Sequence, residues 1–365
     1  MEIAIFGAGI AGLMSAITLR AQGHRCRIYE RLRQGNESGM GFILMPEGAD
    51  CLREFGVHLT GSLSGVPLHH FYYRNSEGEI QHEQTMPTGA RGLRRTDLIT
   101  ALVRALPPDG TPVFEAELDD LEFNASDRVA AVRLSSGARI EADLYIAADG
   151  VGSRARQALF PDWPASPARV QEVVGMARYE DAMRWAGNNF NKFHAASGGI
   201  ALGVLPIDAE RLVWYLQFDS QRCPTPEESP QARRAFVQQL VGEWADPIPH
   251  LLAITDFSRV HVWRPLDVDP VPSFYRGNLV LIGDAAHPLH PFTSQGVSSA
   301  IADAVALAGV VHGSVNAHTS LDDALAGYSS RRRAQCAPYV AKGRELTRQF
   351  LEPRLGDNIW LPIAQ

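Results

Sequence analysis

The chain of 365 residues carries a net charge of -7 and is 45% hydrophobic and 21% charged. That length supports a large core and about two domains, the apolar share is ordinary for a globular protein, and the acidic balance argues against nucleic acid or an anionic membrane as a partner. Its four cysteines, Cys26, Cys51, Cys223 and Cys336, show neither CxxC nor metal-ligand spacing, so reduced thiols and no metal are expected.

Residues 2–6 read as a short buried strand, and Gly7-Ala8-Gly9-Ile10-Ala11-Gly12 then fills a G-x-G-x-x-G turn. Apolar residues recur at helical spacing over 10–22, and Gly23 supplies a stop. In such a turn the first glycine permits the tight bend, the second lets backbone approach a pyrophosphate, and the third allows helix and strand to pack closely. The next strand, 26–29, ends in Glu30, whose carboxylate suits the hydroxyls of an adenosine ribose and would repel a 2′-phosphate. A glycine-rich structural turn does not explain Glu30; nucleotide binding does. A nucleotide strand starting at residue 2 leaves no room for a signal peptide, and no apolar run reaches the length of a membrane span. Residues 301–315 come nearest, interrupted by Asp303 and His312, so a cytoplasmic protein is expected.

Helices are predicted over 46–55 and over 97–106, the second with Thr96 as N-cap. Residues 113–148 alternate like strands and end in Asp149-Gly150, followed by Ser153, Arg154 and Arg156. That turn can offer N–H groups and positive charge to pyrophosphate oxygens. Strand signals dominate 169–264, with a hairpin turning near Asp208-Ala209 and a helix over 231–244. In the hairpin, alternation puts Val213, Tyr215 and Gln217 on one face and Leu212, Trp214, Leu216 and Phe218 on the other. Residues 68–74 form another candidate strand, carrying His70 and Tyr72. Residues 279–282 are an apolar run ending in Gly283-Asp284; a proline-rich loop follows, and Gln295-Gly296 opens a long helical pattern. An acidic strand end beside a helix N-terminus can hold a polyhydroxylated cofactor and stabilise negative charge on it. Residues 321–351 read as one or two polar-faced helices, with Arg331, Arg332 and Arg333 on a solvated face and His287 packed against the preceding strand.

Nucleotide signals therefore sit at both ends of a mostly β insertion. The expected organisation is a discontinuous cofactor domain (1–68, 92–165 and 265–320), a substrate domain (69–91 and 166–264) and a C-terminal helical segment (321–365).

Taken jointly, GAGIAG with Glu30, then AADGVGSRAR, then GDAAHPLHP with Gln295-Gly296 resemble the group A flavin-dependent monooxygenases, the para-hydroxybenzoate hydroxylase-like family. The resemblance implies an α/β fold: a Rossmann-like FAD-binding domain with an inserted, mostly β substrate domain and C-terminal helices. It implies FAD as cofactor, NADH or NADPH as a transient co-substrate without its own nucleotide fold, and O₂. One oxygen atom would enter a small aromatic or heteroaromatic substrate through a flavin C4a-hydroperoxide. Carried across, Gly7, Gly9, Ile10, Ala11 and Gly12 would hold the pyrophosphate, Glu30 and Arg31 the ribose, and Arg95 the phosphates, with Arg94 its solvated neighbour. Leu118, Asp149, Gly150, Gly283 and Asp284 join the cofactor contacts. Pro291 would lie beside the flavin ring, Gln295, Gly296 and Val297 would present amides to its pyrimidine edge, and SGMGFILMPEGADCLREFG would bring Gly41 and Phe42 near it. Tyr215, His70 and Pro291 are the candidate catalytic residues, with His70 or Tyr72 as a base for a phenol; Tyr72, Tyr215 and Gln217 are the candidate substrate contacts. For His70, Tyr72 and Tyr215 a packing role is the competing reading.

Two departures stand out: Ser294-Gln295-Gly296-Val297-Ser298 replaces the usual Gly-Gln-Gly-x-Asn, and Pro46-Glu47 replaces Pro-Asn. The W-x-W-x-I-P signature of flavin halogenases is absent. A reductase or dehydrogenase of the same fold, without oxygen insertion, is the alternative activity. A non-catalytic binding protein would be expected to lose the glycine and aspartate motifs, which are intact. Monomer or homodimer is the expected state.

Overall fold

The computed structural model describes residues 1–35, 40–178 and 185–354. Ser38 and Gly39 of the loop expected beside the flavin, and residues 355–365 of the C-terminal segment, lie outside them. A five-stranded sheet runs in the order Tyr275–Arg276, Leu279–Leu281, Leu144–Ala147, Glu2–Phe6, Arg25–Tyr29. Its last four strands are mutually parallel. Buried on both faces, the inner strands are continuous apolar runs rather than alternating ones. The helix Ile10–Ala21 covers one face and packs against the helix Gly296–Ala317, so the two nucleotide signals from opposite ends of the chain become neighbours.

A seven-stranded sheet forms the second layer, in the order His261–Trp263, Val170–Arg178, Arg211–Asp219, Ile200–Pro206, Asn189–His194, His70–Asn75, Ile80–Thr85. One face carries Leu212, Trp214, Leu216 and Phe218 and is buried against the helices Pro230–Val241 and Ile248–Ile254. The indole N–H of Trp214 donates to Thr255 at 2.9 Å, which satisfies the one polar atom that side chain takes into this core. The opposite face turns toward the cofactor sheet. A three-stranded sheet, Gly41–Leu44, Arg91–Arg94 and Val66–Pro67, joins the two layers. Gly92 is required at that junction, because a Cβ there would stand 2.1 Å from the carbonyl oxygen of Pro206.

Several expectations are corrected. The third helix spans Arg95–Ala105 and starts one residue before Thr96, which is therefore not its cap. Ser229 caps the helix Pro230–Val241 by accepting from the Ala232 N–H at 3.1 Å. Residues 321–351, expected as one or two helices, form a single helix, Leu321–Leu351, with Pro338 inside it. Arg332 is not on a solvated face but 6% exposed. The helix Gly296–Ala317 is, by length and composition, apolar enough to cross a membrane, although Asp303 and His312 interrupt its apolar run. Here it packs between the helices Ile10–Ala21 and Leu321–Leu351, with Asp303 buried.

Candidate active site

The glycine turn, the Asp149 turn, the Asp284 loop and the alternating face of the large sheet converge on one cleft of about 330 Å³. Gly7 has φ +110°, and a Cβ on it would lie 2.2 Å from the carbonyl oxygen of Ala148; on Gly12 it would lie 1.9 Å from that of Gly7. At Gly9 the nearest atom would be Nη2 of Arg95 at 3.7 Å, so this glycine leaves open space in the cleft instead. The helix Ile10–Ala21 starts at Gly9 with no side-chain cap, and Gly296–Ala317 starts at Gln295 with none. Both present orphan N–H groups and a positive dipole end at the cleft. Arg95 lines it beside Gly9, and Glu30 accepts from the N–H groups of Ala8 at 2.7 Å and Leu32 at 2.9 Å, which fixes its carboxylate at the glycine turn.

Asp284 opens into the cleft, yet burial by the surrounding protein raises its pKa, against the lowering pull of His287, Arg95 and Arg156. Burial likewise raises Asp149, despite hydrogen bonds from Ser153 and the Ala155 N–H. Asp149 Oδ1, Gln295 Nε2 and Ser298 Oγ are buried without a partner. Orphaned acceptors and donors beside two uncapped helix starts fit a polyhydroxylated, phosphate-bearing, ring-bearing ligand such as FAD.

Of the other positions expected to touch the cofactor, Ile10, Ala11, Gly41, Phe42, Gly150, Pro291, Gly296 and Val297 line the cleft. Gly283 lies beneath the loop, its N–H donating to Asp303 at 2.7 Å. Leu118 is buried in the strand Leu118–Phe123, away from the cleft lining, and its carbonyl accepts from Arg154 at 3.2 Å. Arg31 is exposed. Arg94 is not simply solvated: it pairs with Asp97 through Nε at 3.0 Å. The two arginines after Asp149 do not supply charge to the cleft. Arg154 pairs with Glu117 and Asp119 outside it, and buried Arg156 donates to the carbonyls of Asp284 and Ala285 at 3.0 Å, tying the two loops together. Ser294 adopts φ +52°, a left-handed conformation that accounts for the glycine usual at this position.

The sheet face opposite these loops carries Phe71, Tyr73, Glu172, Phe190, Lys192, Leu205, Tyr215 and Gln217. Tyr215 and Gln217 share one face, as alternation predicts, and that face lines the cleft. His70 and Tyr72 do not line it: strand alternation turns them to the other face, where His70 Nδ1 is 2.7 Å from Glu83 and the two rings stack at 5.7 Å. The cleft receives Phe71 and Tyr73 in their place. Gly203 is required because Tyr215 lies flat across it; a Cβ would come 2.3 Å from Tyr215 Cζ.

Two charged residues of this face, Glu172 and Lys192, were missed. Burial raises the Glu172 carboxyl to about 7, against the Gln217 hydrogen bond and Lys192, and burial lowers the Lys192 ammonium to about 8. Alternation over 170–178 and 189–194 puts each of them on one face of its strand but does not say which face is turned inward.

Behind the Asp284 loop, Asp303 is fully buried and accepts from Gly283 N–H, His287 Nε2 at 2.6 Å and Arg332 Nε at 2.6 Å. Burial pulls His287 down, but Asp303 and Cys336 outweigh it and raise the imidazole to about 10. Ligand atoms of His287, Asp303 and Cys336 lie within 4.8 Å of one another, a grouping that sequence spacing did not reveal. Arg332 occupies it as the counter-cation, and the grouping is a closed ion cluster that clamps the C-terminal helix to the loop.

A mostly parallel nucleotide sheet with its glycine turn faces a mixed, mostly antiparallel sheet across one cleft, an architecture that suits a flavoprotein. A family model described as an FAD binding domain matches residues 1–342, and the chain belongs to the para-hydroxybenzoate hydroxylase-like FAD-dependent monooxygenases, with FAD as cofactor. Among its relatives, 3-amino-4-hydroxybenzoate 2-monooxygenase of Streptomyces cremeus is 29% identical over 375 residues, spanning 97% of this chain and 88% of that protein. FAD-dependent urate hydroxylase of Klebsiella pneumoniae is 26% identical, spanning 94% and 89%. Klebsiella pneumoniae HpxO complexed with FAD and uric acid shares the fold at TM-score 0.83 and 24% identity, covering 97% of this chain and 90% of that one. The 2,6-dihydroxypyridine-3-hydroxylase of Arthrobacter nicotinovorans gives TM-score 0.83 at 24% identity, covering 99% and 96%.

Proposed function

We propose that the protein hydroxylates a small aromatic or heteroaromatic ring, consuming O₂ and NAD(P)H. In the balanced reaction one oxygen atom replaces a ring hydrogen as hydroxyl, the other leaves as water, and NAD(P)H plus a proton supply the two electrons and the hydrogens. The observation that carries this reading is that the glycine turn and two uncapped helix starts face an aromatic-lined slot across one cleft. The names of the relatives, acting on an aminohydroxybenzoate, a urate and a dihydroxypyridine, support the ring as the substrate class.

FAD held in this cleft would supply the redox chemistry, electron transfer from a nicotinamide and reactivity toward O₂. The protein supplies position and electrostatics. N–H groups of Gly9, Ile10 and Ala11 and the Arg95 guanidinium hold phosphate, and Glu30 takes the ribose. Amides of Gly296 and Val297 at the uncapped helix start stabilise negative charge on the flavin ring; removal of one such donor typically costs about 2.7–4 kcal/mol. Phe71, Phe190, Leu205 and Pro291 form a slot that excludes water from a bound ring. The Tyr215 phenol is held well above its ordinary pKa by burial and Glu172, so it stays protonated and orients substrate as a neutral hydrogen-bond partner.

Anaerobic mixing with NADH and NADPH should bleach the flavin band near ~450 nm with at least one of them. In air, an accepted aromatic should gain one oxygen by mass. Reduction by neither nucleotide, or turnover without added oxygen, would overturn the reading, the latter in favour of hydride transfer alone.

Gly203→Ala offers a second check. The added methyl should push Tyr215 off the sheet into the slot, raising substrate KM about tenfold or more while the flavin-to-protein ratio is unchanged.

A further inference from the structure

Lys192 is 7% exposed and lines the substrate side of the cleft, with Nζ 4.9 Å from the Phe292 ring centroid. Among the described residues no hydrogen bond or ion pair within 4.0 Å is formed by that ammonium. A buried cation normally has both. Across the sheet its register partners are Gly203 and Tyr73, and the flat Tyr215 ring fills the space above Gly203. Lys192 thus stands at the edge of the aromatic slot.

A second orphan lies on the same face. Gln217 is 1% exposed, and its Nε2 donates to Glu172 Oε1 at 2.7 Å. With Nε2 committed to Glu172, the other end of the amide, Oε1, is turned away from that carboxyl. Gln217 Oε1 is left buried with no partner, in a residue that lines the cleft. One buried donor cation and one buried orphan acceptor therefore flank the slot.

We infer, resting on the hydroxylase reading above, that Lys192 and Gln217 select an aromatic anion: an ionised oxygen on Lys192 Nζ, and a neighbouring N–H or O–H donating to Gln217 Oε1. Glu172 acts as the positioning residue that aims the amide. Salicylate and 2-aminobenzoate carry that pair on one ring; benzoate lacks the donor, and benzamide lacks the charge. An ionised ring oxygen beside a ring N–H, as in the anion of a hydroxylated N-heterocycle, offers the same chemistry.

The test titrates FAD-loaded protein with salicylate, 2-aminobenzoate, 2,6-dihydroxypyridine, benzoate and benzamide, reading the flavin spectral perturbation. The anions with a neighbouring donor should bind at least tenfold tighter than benzamide. Lys192→Met should weaken them about tenfold to a hundredfold and leave benzamide unchanged, and Lys192→Arg should restore part of the loss. Gln217→Leu should abolish the preference for salicylate over benzoate. An unaltered flavin-to-protein ratio and melting temperature in each variant exclude misfolding. Equal binding of charged and neutral rings, or Lys192→Met binding the anions as tightly as the parent chain, overturns the inference. If neutral rings alone are hydroxylated, this inference fails and the hydroxylase reading stands; if no aromatic binds or turns over, both fail.

Discussion

Asp303→Ala should lower the melting temperature by about 4–7 °C and release FAD at a lower temperature than the parent chain. The carboxylate is fully buried, and its removal strands two buried cations, His287 and Arg332, and the N–H of Gly283. Breaking a buried pair from one side costs about 3–5 kcal/mol, and near 2.1 cal/mol/K per residue that converts to the stated shift in a chain of 365 residues. Because Gly283 begins the loop that carries Asp284, flavin release should accompany the loss of stability. Replacing all three charged groups together by apolar residues of similar volume should cost less than Asp303→Ala alone, since no uncompensated charge remains. The pH dependence follows from the same cluster. His287 has its pKa raised on folding, so its contribution is complete below about 6.5 and is lost as pH climbs toward about 10. Asp303 is held low by His287 and Arg332 against burial, so its contribution is lost only as pH falls below the ordinary carboxylate range. Differential scanning fluorimetry from pH 5 to 10 should show a decline above neutrality that is shallower in His287→Asn; an identical slope would sink the assignment.

Gly12→Ala should yield protein with little bound flavin, its FAD affinity reduced by at least about a hundredfold. The new methyl would stand 1.9 Å from the Gly7 carbonyl oxygen, a backbone atom that cannot rotate away. Relief requires the helix Ile10–Ala21 to move off the glycine turn, and that helix start carries the phosphate-facing N–H groups. Overpacking of this kind costs about 1–3 kcal/mol in stability, while a misplacement of about 1 Å is enough to lose about a hundredfold in a positioned site. Gly9→Ala makes the contrast. Its Cβ meets nothing closer than Arg95 at 3.7 Å, so the fold should be retained while the methyl takes cleft space from the phosphates. Flavin-to-protein absorbance ratios after dialysis, with circular dichroism as the fold control, separate the two. A yellow, fully loaded Gly12→Ala protein would show that the turn is not needed for FAD.

What local sequence determined is the nucleotide framework. Strand, glycine turn, helix and Glu30 form one contiguous unit whose geometry follows from periodicity and missing Cβ atoms, and the same holds for the Asp149 and Asp284 strand ends. Strand alternation also assigned Tyr215 and Gln217 to one face of their hairpin, because side-chain direction has period two whatever the strand packs against. Tertiary structure alone decided which face of each strand meets the cofactor. His70 and Tyr72 carry the more suggestive chemistry, yet Phe71 and Tyr73 face the cleft, because that choice depends on how the strand His70–Asn75 pairs with Asn189–His194. Likewise Arg332 looked like part of a solvated triplet until a helix 29 positions earlier placed Asp303 against it. Glu172 and Lys192 share one face of the slot only because three strand pairings lay their strands side by side in one sheet. Charge burial is a property of what packs around a residue, and no run of neighbouring letters encodes it.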